Sequence, residues 1–378
     1  MTLNGGSTFT SNSATTAGGG AFINGGTLAL AGGADFTSNT AGTAGGGAVY
    51  KTSSGILNIT GASTFTSNSS TGGGGAIKQE STGTTTLNGT ATFTSNSTTS
   101  ATEGGGAIRN TSTGLFRVDG LATFGNASDN TKGNVSTFSG GVIENNGAGV
   151  RMDLNNGAAF YNNRTTGATT YGGAVYNTGG ATFTVGATSG GSIFTGNGKT
   201  SAGVVTTTSG GAIYNTGTTT LNGGSTFTSN GATTNGGALY NAGTSTLNGT
   251  TTFTSNSATS GGAVYNDTAG SLTFANSASF DNNTATTGGS LYNLGTTTFG
   301  GATTFTNHTV RSLCNTGTIT LNGTTTFSNN TLSSNGAGLE YVSGVGAVFF
   351  SALKVVADGW RPCHKAGPGV QAKTNHPL

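Results

Sequence analysis

A repeat constrains this chain more than any other feature. The stretch from Ser209 to Asn230, SGGAIYNTGTTTLNGGSTFTSN, holds three short pieces: GGAIYN, TTTLN and STFTSN. Each piece alternates an apolar residue with small or hydroxyl residues, the period-two pattern of a strand with one buried face, and Gly and Asn separate the pieces. The rest of the chain, up to about residue 340, is a series of variants of this unit. The aromatic of its third piece returns as Phe9, Phe36, Phe65, Phe93, Phe124, Phe160, Phe194, Phe227, Phe253, Phe280, Phe305 and Phe327, at steps of 22 to 36 residues, and Asn usually follows three residues later. A unit this short cannot bury a core alone, so neighbours must stack. The expected fold is all-β: a right-handed parallel β-helix, or solenoid, of about twelve three-strand coils, one per Phe. With roughly 4.8 Å per coil, such a rod is on the order of 60 Å long.

Composition tests that reading, because Gly- and Ser/Thr-rich chains are often disordered. Gly makes up 71 of 378 residues, and charged residues are 6% against about 25% in an ordinary globular chain. The regular return of Phe, Leu and the GGA-plus-aliphatic piece nevertheless supplies the core that disordered chains lack. A net charge of +2 without a basic stripe excludes nucleic-acid binding. There is no run of 18 apolar residues, so no membrane-crossing helix is expected. Cys314 and Cys363 allow one bridge but lack metal-ligand spacing, and no metal or cofactor is expected.

Along the chain, the opening MTLNGGSTFTSN matches the second half of the unit, so the first coil begins part-way through. No charged n-region followed by an apolar h-region precedes it, which points to an export signal and a cap lying upstream. From Lys78 to Arg164 the repeat loosens and holds twelve of the 24 charged residues (13 Lys and Arg plus 11 Asp and Glu). Longer coils mean loops extruded from the rod, where solenoids often carry function. Residues 1–340 are read as the repeat domain. Residues 341–378, which hold all three Pro and the only Trp, are read as a non-repeat tail, either a cap or a non-native segment.

The residue after the aliphatic of GGA[VIL] runs Ile23, Tyr50, Lys78, Arg109, Glu144, Tyr176, Tyr214, Tyr240, Tyr265, Tyr292, Cys314 and Glu340. Lys, Arg and Glu are seldom buried without partners, so this rank is expected to face solvent, with Tyr176, Tyr214, Tyr240, Tyr265 and Tyr292 forming an exposed aromatic ladder. The ladder either packs on itself or binds a ligand, since Tyr gives contact area at low entropic cost. With Leu221 inward, Thr218 and Thr220 face out, as do Thr244 and Thr246, Thr296 and Thr298, and Thr318 and Thr320 in the same register. Such Thr-x-Thr rows suit an exposed strand face and resemble the ice-binding faces of antifreeze β-helices. The Asn after each Phe is assigned a structural role, tolerating a left-handed turn and hydrogen-bonding from coil to coil.

Hydrolysis of a polysaccharide needs two carboxyl groups about 5 to 9.5 Å apart. Counting back from each Phe, Arg117 and Asp153 share one outward position on adjacent coils, which gives a cross-strand ion pair in place of a carboxylate pair. Asp119 and Glu144 remain candidates only if loops bring them together. His308, His364 and His376 show no partner pattern and read as solvated side chains. No catalytic residue is assigned.

The alternation of GGAVY at Gly46, GGAIY at Gly210 and GGALY at Gly236 with FTSN at Phe93 and FDNN at Phe280 resembles the repeats of the chlamydial polymorphic outer-membrane proteins, autotransporter adhesins. The resemblance covers roughly residues 1–340. It implies a non-catalytic passenger domain on the outer-membrane surface or secreted, which binds a glycan or protein receptor on a host or neighbouring cell. No C-terminal run of amphipathic strands follows, so a translocating barrel is not in this chain. The alternatives are an ice-binding protein using the Thr-x-Thr rows and a polysaccharide-active β-helix enzyme.

Overall fold

The computed structural model describes residues 1–80, 82–186 and 190–331, and the backbone alone of Leu339–Tyr341 and Ala347–Phe350. The three pieces of the repeat unit become three strands on three faces of a coil: Ile213–Asn215, Thr218–Leu221 and Ser225–Thr228. Equivalent strands stack into parallel sheets of 12, 13 and 12 strands on the first, second and third face. Neighbours in each sheet are successive coils, with like residues in register, as in Ile213↔Leu239, Leu221↔Leu247 and Phe227↔Phe253. The fold is a parallel β-helix.

Three inward columns, one per face, fill most of the core. Ile213, Leu221 and Phe227 of one coil are buried, as are their counterparts above and below. The Phe column stacks without a break from Phe9 to Phe327, with steps such as Phe65 to Phe93 at 4.6 Å and Phe93 to Phe124 at 5.1 Å between centroids. Offset stacking of this kind adds about 0.5–1.5 kcal/mol per pair beyond area burial. An aromatic recurring at one position therefore fixes the register of every coil it appears in.

The GGA motif has a steric cause. Gly210 has φ +65°, which non-Gly residues seldom adopt. A Cβ on Gly211 would lie 2.1 Å from the Gly237 carbonyl oxygen and 2.5 Å from that of Gly231. The first glycine is needed for its backbone conformation and the second for the close approach of two neighbouring strands.

Asn forms a second kind of column. Asn230, fully buried, donates from Nδ2 to the Phe194 carbonyl at 2.9 Å and to Asn256 Oδ1 at 3.0 Å, and its Oδ1 accepts from Asn197 N at 3.0 Å. The coil-to-coil role expected of these residues is present. The left-handed conformation is not theirs, however: it belongs to the preceding residue, Ser229 at φ 55° or Asn282 at φ 51°. That turn swings the Asn amide inward, where it pairs backbone groups the corner would otherwise strand. The Asn of GGAIYN builds another column, with Nδ2 to Oδ1 steps such as Asn215 to Asn241 at 2.9 Å and Asn241 to Asn266 at 2.8 Å. In the early coils Gln79 and Lys51 hold its place, and burial pushes the Lys51 ammonium down from its ordinary pKa.

A fourth sheet of six two-residue strands, from Ser13–Ala14 to Arg164–Thr165, covers the corner after the third face. Single bridges such as Ser209↔Asn235 and Gly231↔Ser257 continue the pairing along that corner in later coils. This sheet leaves no signal in the sequence, because two-residue strands carry no period. At the far end, Leu339–Tyr341 pairs with Leu313–Asn315, and Ala347–Phe350 with Thr318–Leu321. Residues 342–346 and 351–378 lie outside the described residues, as do Cys363, His364 and His376.

Candidate binding surface

The outward rank of the first face is covered more than the sequence suggests. Lys78 is 3% exposed and Glu144 1%, and the Tyr residues from Tyr176 to Tyr292 are half-buried. Burial is possible because the charges are paired. Lys78 Nζ lies 2.8 Å from Glu103 and 3.0 Å from Glu80, and Arg109 reaches Glu144 at 2.9 Å, Glu80 at 3.1 Å and Glu103 at 3.4 Å. Tyr50 donates to Glu80 at 2.6 Å, and Gly104 N donates to Glu144 at 2.6 Å. The Gly-rich segment before each first-face strand lies over the rank: a Cβ on Gly73 would come 2.2 Å from Arg109 Cδ. The expected exposed rank is thus a half-covered strip.

Tyr214, Tyr240, Tyr265 and Tyr292 stack at centroid distances of 4.5, 5.4 and 5.2 Å, with planes within 5° of parallel. Tyr171, which lies outside the GGA motif and was not placed in the ladder, joins it 4.6 Å from Tyr214. Stacking consumes the ring faces, so the ladder offers solvent ring edges and hydroxyls. Burial pushes the Tyr214 and Tyr265 phenols up to about 12. Burial raises Tyr240 further, helped by its hydrogen bond to the Asp267 carboxylate.

The Thr rows lie where the pattern puts them. Thr218, Thr244 and Thr296 are exposed, and Thr220, Thr246, Thr298, Thr318 and Thr320 are half-buried. They stack in register through Thr218↔Thr244, Thr246↔Thr273, Thr273↔Thr298 and Thr298↔Thr320. The result is a hydroxyl surface five coils long without a charge in it.

Three expectations about charged groups change. Arg117 and Asp153 are register partners, yet each pairs along its own strand, Arg117 with Asp119 at 3.0 Å and Asp153 with Arg151 at 2.8 Å. Residues two apart on a strand share a face, so a short arc of one side chain competes with the cross-strand partner. Asp119 and Glu144 are not brought together: one follows a second-face strand and binds Arg117 and Asn155, the other sits on the first face with Arg109. The carboxylates that do converge are Glu80, Glu103 and Glu144, which spacing could not reveal because Glu80 and Glu103 follow or precede strands. Burial raises Glu103, but hydrogen bonds from Lys78 and Gly73 N and the nearby Arg109 outweigh it and hold the carboxyl below its ordinary range. His308 is fully buried, contrary to its solvated reading, because it occupies the Asn column, with Nδ1 2.9 Å from Asn330 Oδ1 and Nε2 on the Ser290 hydroxyl.

The repeat itself supplies the comparison. Residues 62–79, 224–242 and 250–267 match the Chlamydia polymorphic membrane protein repeat. The chain carries that repeat. Two of the three matches open at the third-face strand and close just after the next first-face strand, so the polymorphic membrane protein repeat spans the Phe column, the Asn corner and the GGA crossing. These are the parts whose geometry admits least variation. No curated protein and no solved structure matches the chain. Among the described residues no helix is long and apolar enough to cross a membrane, which says nothing of a β-barrel.

Proposed function

We propose that this chain is a non-catalytic, adhesin-like passenger domain, displayed on an outer surface or secreted, which binds a glycan or protein receptor on a host or neighbouring cell. The observation that carries the reading is the polymorphic membrane protein repeat at three places in the chain. The surface supports it: long hydroxyl and phenol rows on a rigid rod present many weak contacts in fixed register, the arrangement from which multivalent attachment gains most. The candidate contacts are the Tyr strip from Tyr176 to Tyr292, the Thr rows, and the charged coils between Lys78 and Arg164. A catalytic role draws no support from the carboxylates. Glu80, Glu103 and Glu144 are each paired with Lys78 or Arg109, and the Glu103 carboxyl is held below its ordinary range, whereas a glycosidase needs one protonated acid.

The test is attachment of beads coated with the full chain to cultured epithelial cells, against beads coated with an unrelated β-helix. Equal attachment of the two would refute the adhesin reading. The ice-binding reading keeps one specific support, the charge-free Thr rows in register over five coils. Thermal hysteresis that Thr244→Tyr and Thr296→Tyr together abolish would establish it, and its absence would remove it.

A further inference from the structure

The outward rank of the third face carries hydroxyls over most of its length, with Thr64, Thr92 and Thr123 on one side and Thr226, Thr252 and Thr304 on the other. At two consecutive coils it turns apolar, to Ala159 and Ile193. Two positions after Ala159, where other coils place Thr66, Thr94 or Thr228, stands Tyr161. Ile193 is 40% exposed, and Leu121 at the neighbouring corner 47%. These four side chains line a depression of about 460 Å³, within the range of about 300–1,000 Å³ typical of small-ligand sites. Gly157, Gly191, Asn156, Thr123 and Thr226 also line it. Among the described residues no charged side chain lines it.

Tyr161 differs from the ladder tyrosines. Their faces are covered by one another at 4.5–5.4 Å, whereas Tyr161 has no ring partner among the described residues. Two excursions of the chain rise beside it. The first, residues 125–133, leaves the face at Tyr161: a Cβ on Gly125 would come 1.9 Å from the Tyr161 carbonyl oxygen, and Asn162 Nδ2 donates to the Asn126 carbonyl at 2.9 Å. Its Asn130 then donates to the Ser201 carbonyl at 3.0 Å, within the second excursion, a small hairpin closed by Lys199 and Val205. Neither excursion lines the hollow itself, whose described lining is uncharged and holds one aromatic ring, Tyr161.

We infer that this hollow is a binding site for a neutral saccharide, with Tyr161 as its platform. A pyranose has one apolar C–H face and a girdle of hydroxyls. The former matches the Tyr161 ring with Leu121 and Ile193 in the same lining, and the latter the Thr123 and Thr226 hydroxyls of that lining. An uncharged lining offers nothing to a sulfated or phosphorylated ligand or to a basic peptide. The inference extends the surface reading above by naming a ligand class and a place, but the site stands on its own geometry.

The experiment is saturation-transfer NMR and tyrosine-fluorescence titration of the full chain with maltotriose, cellotriose, chitotriose and lactose. At least one should bind. Tyr161→Thr, which restores the residue found at this position in other coils, should weaken binding at least tenfold with an unchanged circular dichroism spectrum, and Thr8→Ala, on the same face in the first coil, should leave it intact. If Tyr161→Thr fails to fold, Ile193→Thr carries the same test. The inference is overturned if none of the four sugars binds, if binding survives these substitutions, or if octanoate binds in a Tyr161-dependent way and the sugars do not. Bead attachment with sugar-silent protein would remove this site and leave the adhesin reading standing. Sugar binding without bead attachment would do the reverse.

Discussion

Replacing Asn230 by Ala tests whether the buried amide column, and not the hydrophobic columns alone, holds the coils together. The side chain makes four hydrogen bonds: Nδ2 to the Phe194 carbonyl and to Asn256 Oδ1, and Oδ1 from Asn197 N and Asn197 Nδ2. After truncation Asn197 Nδ2 keeps the Phe160 carbonyl, and Asn256 Oδ1 keeps Asn230 N. The Phe194 carbonyl and the Asn197 amide lose these partners inside a corner no water reaches. Each buried group left unpaired costs about 1–3 kcal/mol, so the substitution should cost about 2–6 kcal/mol. The control is Asn222→Ala, which removes a solvent-facing amide contact with Asn248 at 2.7 Å and should stay within about 0.5 kcal/mol. Urea unfolding followed by far-UV circular dichroism gives both values, provided the m-value is unchanged. Amide exchange should show the loss centred on the coils of Phe194, Phe227 and Phe253, because a solenoid couples mainly nearest neighbours. A loss under about 1 kcal/mol for Asn230→Ala, or equal losses for the two variants, refutes the argument.

Phe227→Ala should cost about 3–5 kcal/mol as a core truncation, since it also opens the stack between Phe194 and Phe253, at 4.8 and 4.7 Å; the same urea experiment reads it, and a cost below about 1 kcal/mol would place the column outside the core. His308 makes the last coils sensitive to acid: burial holds its folded-state pKa below the ordinary 6.5, so the unfolded chain takes up the proton first. The stability of the neutral form is complete above 6.5 and is lost as pH falls below it. His308→Asn should flatten that slope between pH 7 and 5, and an unchanged slope would assign the acid sensitivity elsewhere. Ultraviolet titration should find the Tyr214 and Tyr265 phenols ionising near 12, and full ionisation of the ladder by pH 10.5 in folded protein would contradict its half-buried geometry.

The parts of the fold legible in the sequence are those in which one residue type repeats because one local geometry repeats. Phe227, Leu221 and Ile213 alternate with hydroxyl residues, and that period fixes strand, face and register together. The Thr rows follow from the same period. So does the inward side of the GGA strands. Legibility fails where a side chain's surroundings come from another coil. Glu144 reads as exposed because nothing beside it in the sequence neutralises it, yet Arg109, from the preceding coil, pairs with it; Lys78 has Glu80 close in sequence but is also paired by Glu103, 25 residues on. Arg117 and Asp153 share a register, but rotamer reach gives each to a neighbour on its own strand.

The sequence by itself determined a stacked β-solenoid, its three-strand coil and the identity of its inward columns, because periodic burial is a property of the chain's own spacing. Tertiary structure alone decided what the outward ranks are worth. Whether a tyrosine ring stacks on its neighbours, as at Tyr240, or has no ring partner among the described residues, as at Tyr161, depends on what the coils above and below place beside it. Whether a charge is buried depends on partners about 25 to 35 residues away. A local period cannot encode either, since side chains from different coils meet only once the coils have stacked.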